Sequence, residues 1–296
     1  MNGSVILVTG ATAGIGRAAA LELARAGHHV FATGRRTEAL AALVREASGL
    51  KLEAMVLDVT NQASIEHAKA EIERRTDGHG VDVVVNNAGY GLVGPLEDIS
   101  DEALRKQYDT NVFGLMAVTR AFLPTMRARG RGRIVNVSSM GGRVTFPFMG
   151  AYNSTKYAVE SLSDALRIEL RPFGIEVSLI EPGAIKTEFA DVAIGGAERK
   201  TGSAWTPAIE QADAMRAKFD ATAVGPEVVA RAIVHAATAR RPRPRYVVPK
   251  QTWGALVLFR VIPTRMMDAI LGWATGITRK KLLPAASSES SSPAAA

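Results

Sequence analysis

The sequence predicts an α/β protein in which one parallel, doubly wound sheet is covered by helices on both faces. Short segments such as "VILV" and the "VVV" of residues 83–85 are apolar throughout, which is typical of strands buried on both faces. Amphipathic helical stretches separate these segments, so the strands are expected to run parallel. Right-handed crossovers then place helices on both sides of a single sheet.

The predicted elements alternate regularly along the chain. Strands are expected at "VILVTG", "HVFATG", "KLEAMVLDVT", "VDVVVNNAG", "GRIVNVSS", "IEVSLIEPG" and "RYVVPK". Helices are expected at "GIGRAAALELARAG", "TEALAALVREASG", "NQASIEHAKAEIERRT", 100–130, "YNSTKYAVESLSDALRIELRPFG" and "PEVVARAIVHAATA". The long stretch 100–130 is expected to bend near Asn111. Periodicity weakens over 184–224, and we predict a loop there.

One domain is expected over residues 1–250, followed by an apolar helical extension over 251–283. Arg260, Pro263 and Arg265 interrupt the extension, so no apolar span reaches the roughly 20 residues needed to cross a bilayer. Three interpretations stay open: a capping helix pair, a subunit contact or peripheral membrane attachment. Residues 284–296 are of low complexity and are predicted to be disordered.

Composition limits the classes of protein and of site. The 296 residues include no cysteine, which excludes disulfides and thiolate ligands, and no metal site is expected. The apolar run near the N-terminus is too short for a signal peptide, so we predict a cytoplasmic protein, with peripheral membrane attachment as the open alternative. The net charge of +7 lies largely in arginine runs without interleaved aromatic residues, and nucleic-acid binding is not expected.

A glycine-rich turn, "TGATAGIG", joins the first strand to the first helix. Gly10 suits the tight turn, Gly14 lets a pyrophosphate approach the backbone, and Gly16 allows close helix packing. No "GK[ST]" ending follows, which argues against a nucleoside-triphosphate loop. The residues of this turn expected to bind a dinucleotide are Gly10, Thr12, Gly14, Ile15 and Gly16.

The end of the second strand, "FATGRR", predicts which dinucleotide binds. A site for NAD would offer a carboxylate to the adenine ribose, whereas this chain offers Gly34, Arg35 and Arg36. Arginine forms charge-assisted, bidentate hydrogen bonds with a phosphate such as the 2′-phosphate of NADP. We therefore predict NADP(H), with Arg35 as the main contact. The alternative is that both arginines are only solvated.

A tyrosine and a lysine lie four residues apart in "YNSTK". On a helix, Tyr152 and Lys156 share one face. The same spacing recurs at Tyr246 and Lys250, but a proline inside that pair excludes a helix, and a strand separates the two residues by about 13 Å. Ser139 ends a strand thirteen residues before Tyr152, at the edge where such sheets bind ligands.

These motifs, taken in order, resemble the short-chain dehydrogenase/reductase family in its compact, single-domain branch. The matching segments are "TGATAGIG", "LDVT", "NNAG", "TNVFG", "IVNVSS", "YNSTK" and "PGAIKT", within about residues 4–190. The resemblance implies a Rossmann-type sheet and a nicotinamide cofactor. It also implies a homodimer or homotetramer, formed through the helices around 101–130 and 152–173.

The resemblance further implies cofactor contacts beyond the glycine-rich turn. They are Asp58 and Val59 at the adenine, Asn87, Ala88 and Gly89 along the cleft, and Pro182, Gly183, Ile185 and Thr187 at the nicotinamide carboxamide. The segment "NNAG" is also expected to steady the central sheet.

The same resemblance implies a catalytic set. Tyr152 would protonate the alkoxide in reduction or deprotonate the alcohol in oxidation. The Lys156 ammonium and the positive charge of the oxidised nicotinamide would lower the pKa of the phenol, and Lys156 would also hold the nicotinamide ribose. Ser139 would align the substrate oxygen. Ser138 is the competing serine, and the thirteen-residue spacing favours Ser139. Asn111 would hold a water that links Lys156 to solvent, or would only stabilise the helix bend.

Apolar side chains predict the class of substrate. Expected contacts are Phe189, Ile194, Trp205 and Phe219 in the loop 184–224, across from Met140, Phe146, Phe148 and Met149. They indicate a lipophilic ketone, aldehyde or alcohol, as for the steroid- and retinoid-active members of the family. The sequence thus predicts an NADP(H)-dependent oxidoreductase. The alternatives are a non-catalytic NADPH-binding regulator with this fold and a nucleotide-sugar epimerase or dehydratase.

Overall fold

The computed structural model describes residues 3–187 and 203–283, whose strands form one sheet in which all paired strands run parallel. The strands are β1 (Val5–Val8), β2 (His29–Gly34), β3 (Leu52–Val56), β4 (Val83–Asn86), β5 (Gly132–Val137), β6 (Ile175–Pro182) and β7 (Arg245–Val248). Their order across the sheet is β3-β2-β1-β4-β5-β6-β7. This is a doubly wound, Rossmann-type sheet, and the predicted fold class and strands are confirmed.

Helices cover both faces of the sheet. Their bounds are α1 (Gly14–Arg25), α2 (Thr37–Glu46), α3 (Gln62–Arg75), α4 (Asp101–Tyr108), α5 (Leu115–Ala128), α6 (Gly150–Leu170), α7 (Thr206–Asp220), α8 (Pro226–Thr238), α9 (Thr252–Val261), α10 (Thr264–Ala274) and α11 (Arg279–Leu282). The sequence did not predict α7, which lies within the expected loop 184–224. Contacts with α10 and α11 hold α7 in place, including hydrogen bonds from Gln211 to the carbonyl oxygens of Trp273 and Ala274. The local periodicity of α7 does not encode such contacts.

Two apolar cores, one on each face of the sheet, explain why β1 is apolar at every position. Ile6 and Val8 of β1 belong to the core that includes α1 and α8. Leu7, between them, belongs to the core that includes α3 and α5. Because successive side chains on a strand alternate between faces, a central strand that is buried on both faces favours apolar residues at successive positions.

A π-helical segment, Asp109–Gly114, joins α4 to α5 and contains Asn111. The sequence predicted a bend at this point, and the structure has a wider helical turn there, which is a common cause of a bend. Gly114 allows a close approach here, because a Cβ on it would lie 2.8 Å from Cγ2 of Val59. Single π-helical turns of this kind are frequent at functional sites.

The extension 251–283 forms the helices α9, α10 and α11. Leu256 and Phe259 of α9 pack against the segment that follows β5, where the Phe146 and Phe259 rings meet edge to face at 5.6 Å. Within residues 3–187 and 203–283, no helix is long and apolar enough to cross a membrane. Residues 284–296, the predicted disordered tail, lie outside the described residues.

Candidate active site

The glycine-rich turn between β1 and α1 leaves no room for side chains at two of its glycines. A Cβ on Gly10, whose φ is +66°, would lie 2.8 Å from the Cα of Ala88. A Cβ on Gly16 would overlap the Asn87 side chain and the Gly10 carbonyl group. Ala13, which precedes α1, provides no side-chain cap, so the first N–H groups of the helix can meet an anion. The turn therefore fits the pyrophosphate of a dinucleotide.

Hydrogen bonds fasten the segment "NNAG" to this turn. The Asn87 side chain donates to the carbonyl oxygens of Thr9 at 3.0 Å and Gly10 at 3.1 Å. The Thr9 hydroxyl accepts from the N–H groups of Asn87 at 3.0 Å and Ala88 at 3.1 Å. Thr9 is a site residue that the sequence reasoning missed, because its partners come from a neighbouring strand.

Two arginines follow β2 directly, and both are exposed. The Arg36 guanidinium lies 3.4 Å from the carbonyl oxygen and 3.5 Å from the hydroxyl of Thr12, so it reaches over the glycine-rich turn. Arg35 acts on Asp58: burial would raise the pKa of this carboxyl, but hydrogen bonds from Thr60 and the charge of Arg35 lower it overall. The end of β2 is therefore cationic, as the sequence predicted.

The segment after β6 closes the opposite side of the same edge. The side chain of Thr187 faces the glycine-rich turn, and a Cβ on Gly14, whose φ is +51°, would lie 3.3 Å from it. Ile15, in the first turn of α1, packs partly buried against the core. The predicted residues of this segment are Pro182, which ends β6, and then Gly183, Ile185 and Thr187.

Ser139, Tyr152 and Lys156 come together at the carboxyl end of β5. Ser139 caps a short 3₁₀ turn, Met140–Gly142, and its hydroxyl accepts a backbone N–H of that turn at 3.0 Å. Tyr152 and Lys156 lie in the first turns of α6 and are buried. The Lys156 ammonium donates to the carbonyl oxygen of Val137 at 2.9 Å and lies 5.7 Å from the centre of the Tyr152 ring.

Burial shifts the pKa values of the two titratable members of this trio, Tyr152 and Lys156. It raises the pKa of Tyr152 to about 12, against a hydrogen bond with Ser139 that favours the phenolate. It lowers the pKa of Lys156 to about 8, against the favourable charge of Glu160. The sequence predicted a lowered pKa for Tyr152, from the charges of Lys156 and of the oxidised nicotinamide, whereas the largest influence on the pKa here is burial, which raises it. Tyr152 is therefore a neutral phenol that can donate a proton.

Asn111 is buried, and its side chain ties the loop after β4 to α6. Its amide group donates to the carbonyl oxygen of Tyr90 at 2.9 Å and to the hydroxyl of Thr155 at 3.1 Å, while Oδ1 accepts the Tyr90 N–H at 3.1 Å. Gly89 lies between Asn111 and Lys156: a Cβ on it would be 3.1 Å from Asn111 Oδ1 and 3.8 Å from Lys156 Nζ. The water link that the sequence suggests stays a prediction.

Asn153 also shapes the site, although the sequence reasoning gave it no role. Its side-chain amide donates to the carbonyl oxygens of Gly141 and Val144, both at 2.8 Å. These bonds hold the turn after Ser139 against α6. The available signal was a polar residue within "YNSTK" on the buried face of the helix.

Part of the predicted apolar wall is described. Phe148 and Trp205 meet edge to face at 6.0 Å, Met140 is buried, and Phe146 packs on α9. The extension thus helps to build the wall beside Ser139. Of the other predicted contacts, Phe189 and Ile194 lie outside the described residues, as does the side chain of Phe219.

The second Tyr–Lys pair lies apart from this edge of the sheet. Tyr246 of this pair lies in β7, where its hydroxyl accepts the Arg243 N–H at 2.9 Å and lies 2.8 Å from Nδ1 of His235.

Over residues 3–187 and 203–283, no group of three His, Cys, Asp or Glu side chains could hold a metal ion.

The doubly wound sheet and its glycine-rich edge define the class of dinucleotide-binding α/β proteins. Residues 4–194 match the family described as short chain dehydrogenase, and the chain belongs to this short-chain dehydrogenase/reductase family. It is therefore an oxidoreductase of that type, in a family that binds a nicotinamide cofactor.

Known relatives agree with this assignment. The chain is 35% identical over 269 residues to an NADPH-dependent 3-dehydrocapnine reductase of Ornithobacterium rhinotracheale, covering 89% of this chain and 94% of that protein. It is 39% identical over 203 residues to human 17-beta-hydroxysteroid dehydrogenase type 1, covering 66% of this chain and 61% of that protein. A solved short-chain dehydrogenase from Streptomyces avermitilis matches with a TM-score of 0.76 at 35% identity, covering 94% of this chain and 98% of the other.

Proposed function

We propose that this protein is an NADP(H)-dependent carbonyl reductase that converts a lipophilic ketone or aldehyde to its alcohol. The observation that carries the proposal is the grouping of Ser139, Tyr152 and Lys156 at the end of β5, in which Tyr152 and Lys156 are buried and burial raises the pKa of Tyr152. A phenol donates a proton, which the reduction of a carbonyl group requires. Oxidation would instead require the phenolate, which burial disfavours.

The proposed step adds a hydride to the carbonyl carbon and a proton to the carbonyl oxygen. The bound nicotinamide supplies the hydride. The Ser139 hydroxyl holds the carbonyl oxygen, and Tyr152 gives its Oη proton to that oxygen as C=O becomes C–OH. The Lys156 ammonium stabilises the phenolate that remains on Tyr152 and holds the nicotinamide ribose.

Asn111 has a positioning role in this proposal. Its bonds to Tyr90 and Thr155 keep the loop after β4 in place against α6, next to Lys156. The remaining predicted cofactor contacts lie along the same edge of the sheet. They are Gly10, Thr12, Gly14, Ile15, Gly16, Arg35, Asp58, Val59, Asn87, Ala88, Gly89, Pro182, Gly183, Ile185 and Thr187.

Two observations support NADP(H) over NAD(H). The end of β2 presents Arg35 and Arg36, with the Arg36 guanidinium over the glycine-rich turn. A phosphate on the adenine ribose would meet these cations, whereas the ribose hydroxyls of NAD would find no carboxylate at Gly34. A relative that is 35% identical is named as an NADPH-dependent reductase.

The apolar wall supports a lipophilic substrate of steroid, retinoid or long-chain type. Phe146, Phe148 and Trp205 belong to it, and a relative that is 39% identical is named for a hydroxysteroid. We expect purified protein to oxidise NADPH with steroid ketones, retinal or long-chain aldehydes, as followed by nicotinamide absorbance. A preference for small polar ketones would contradict the substrate class. Tight NADPH binding without turnover on any carbonyl would favour the regulator instead.

We propose a homodimer or homotetramer built on α5 and α6. On α6, Tyr157 and Ile168 are exposed and lie three helical turns apart on one face, and Phe113 before α5 is 60% exposed. Apolar side chains in such a row are typical of an interface. Light scattering should give a mass of two or four chains, and a monomer at micromolar concentration would contradict this.

The outer face of the extension suggests contact with an anionic membrane surface. Trp253, Val257 and Val261 form an exposed stripe on α9, and Ile270 and Trp273 lie on an exposed stripe of α10. The basic residues of 251–283 are Arg260, Arg265, Arg279, Lys280 and Lys281, against the single carboxylate of Asp268. Exposed apolar stripes with tryptophan and basic neighbours fit the headgroup region of an anionic bilayer.

Vesicle flotation tests this contact. We expect the protein to float with vesicles that contain phosphatidylserine and to float less with neutral vesicles, because the basic residues attract anionic headgroups. Trp273→Ser should weaken flotation, whereas Val56→Ser, which removes an exposed apolar side chain from the sheet edge, should not. Equal recovery of both variants with the vesicles would contradict the contact.

A further inference from the structure

A cluster of charged side chains, some of them buried, includes residues of α6, the helix that carries Tyr152 and Lys156. The Arg245 guanidinium is 3.2 Å from the Glu160 carboxylate, 2.7 Å from that of Asp164 and 3.0 Å from that of Glu181. Arg143 makes a second ion pair with Glu181, at 3.1 Å. Glu160 and Glu181 are buried, and the cluster is supplied by helix α6, the strands β6 and β7, and the segment after the 3₁₀ turn that Ser139 caps.

The cluster is balanced in charge when it is fully ionised. Its carboxylates are Glu160, Asp164 and Glu181, and its cations are Arg143, Arg245 and Arg167, which pairs with Asp164 at 2.8 Å. The buried Lys156 ammonium, on the same helix, is not part of this cluster. A buried charge is costly, and a nearby charge of opposite sign reduces that cost.

Glu160 is the member of the cluster placed to interact with Lys156. The two residues lie one turn apart on α6, and both are buried. Gly142 packs against this turn: a Cβ on it would lie 2.9 Å from the Lys156 carbonyl oxygen and 3.0 Å from Cγ of Glu160. Glu160 therefore lies directly behind the 3₁₀ turn that Ser139 caps. The hydrogen bond of Lys156 Nζ, in contrast, goes to a neutral carbonyl group.

We propose that Glu160 is a positioning residue for the reaction, whose ionised carboxylate supplies the countercharge that keeps the buried Lys156 protonated beside Tyr152. The inference rests on the proposed function, because it concerns the same trio. Glu160 touches neither the substrate nor the hydride, and acts only through Lys156.

The ionisation of the two groups is consistent with this role. Burial and the neighbouring Glu181 raise the pKa of Glu160 to about 7, against the opposing effects of Ser138 and Arg245. Burial lowers the pKa of Lys156 to about 8, and the charge of Glu160 opposes that change. As the pH rises, Glu160 gains its negative charge just below the range in which Lys156 loses its proton.

The pH profile of carbonyl reduction tests the proposal. In Glu160→Gln, which has a similar shape without the charge, Lys156 should lose its proton at lower pH. The alkaline limb of kcat/KM should therefore move down by about one pH unit. Glu169→Gln removes an exposed charge about 14 Å further along α6 than Glu160, and about 20 Å from Lys156, and should leave the limb in place. An unmoved limb in a folded Glu160→Gln variant would overturn the proposal.

A stability measurement provides a readout that does not depend on turnover. The folded pKa of Glu160 lies above its ordinary value of 4.5, so its favourable contribution is complete below pH 4.5 and is lost as the pH rises through 7. The unmutated protein should therefore lose stability relative to Glu160→Gln between about pH 5 and pH 8, as followed by urea unfolding. The proposal would be overturned if Glu160→Gln failed to fold at pH 8. It would also be overturned if the difference in the free energy of unfolding between the two proteins stayed constant over this pH range. If the unmutated protein reduces no carbonyl, the proposed function fails, while this comparison still decides whether Glu160 titrates.

Discussion

Replacing Tyr152 with phenylalanine is expected to lower kcat for carbonyl reduction by about 100- to 10,000-fold, the usual contribution of a positioned general acid. Phenylalanine keeps the ring that fills this buried position and removes only the hydroxyl. The proton for the carbonyl oxygen would then have to come from water, because the positioned general acid is gone. Single-turnover NADPH oxidation would measure the chemical step directly.

Tyr157→Phe is the matched control. It removes the same hydroxyl from the same helix, but Tyr157 is 43% exposed and belongs to none of the contacts of the trio. Its kcat should stay close to that of the unmutated protein. Both variants should bind NADPH normally, which fluorescence titration would establish. Turnover retained in Tyr152→Phe would remove Tyr152 from the chemistry and with it the proposed step.

Replacing Arg35 with alanine is expected to weaken NADPH binding by about 10- to 100-fold, the range for loss of charge-assisted hydrogen bonds. Binding of NADH, which has no 2′-phosphate, should change little. The selectivity for NADPH over NADH should therefore collapse in the variant. Calorimetry with both cofactors would measure the change, and equal affinities in the unmutated protein would defeat the assignment of NADP(H).

The structure also allows the two adjacent arginines to be separated. Arg36 reaches the Thr12 carbonyl and hydroxyl groups, whereas Arg35 acts on Asp58. We expect Arg36→Ala to have a smaller effect on NADPH binding than Arg35→Ala. Arg45→Ala, on the exposed side of α2, should have none. A larger loss in Arg36→Ala would move the main phosphate contact to Arg36.

The sequence by itself was enough for the strands, the sheet and the family. Both faces of the sheet are buried, so apolar residues dominate the strands, and that signal is local. The glycine-rich turn is also readable, because Gly10 and Gly16 lack a side chain for reasons that any dinucleotide-binding turn shares. The spacing of Ser139, Tyr152 and Lys156 is likewise visible without coordinates.

Other features required the tertiary structure, because they depend on residues that are distant in the chain. Helix α7 is held by α10 and α11, and its own periodicity is weak. Thr9 and Asn153 act through partners on other elements. The pKa of Tyr152 depends on how deeply the fold buries it, a property that a four-residue motif cannot encode. The Glu160 cluster exists only because α6, β6 and β7 bring their charges to one place. Sequence spacing thus predicted which chemistry the chain performs, whereas burial and packing, which only the tertiary structure shows, shift the pKa values of the groups involved.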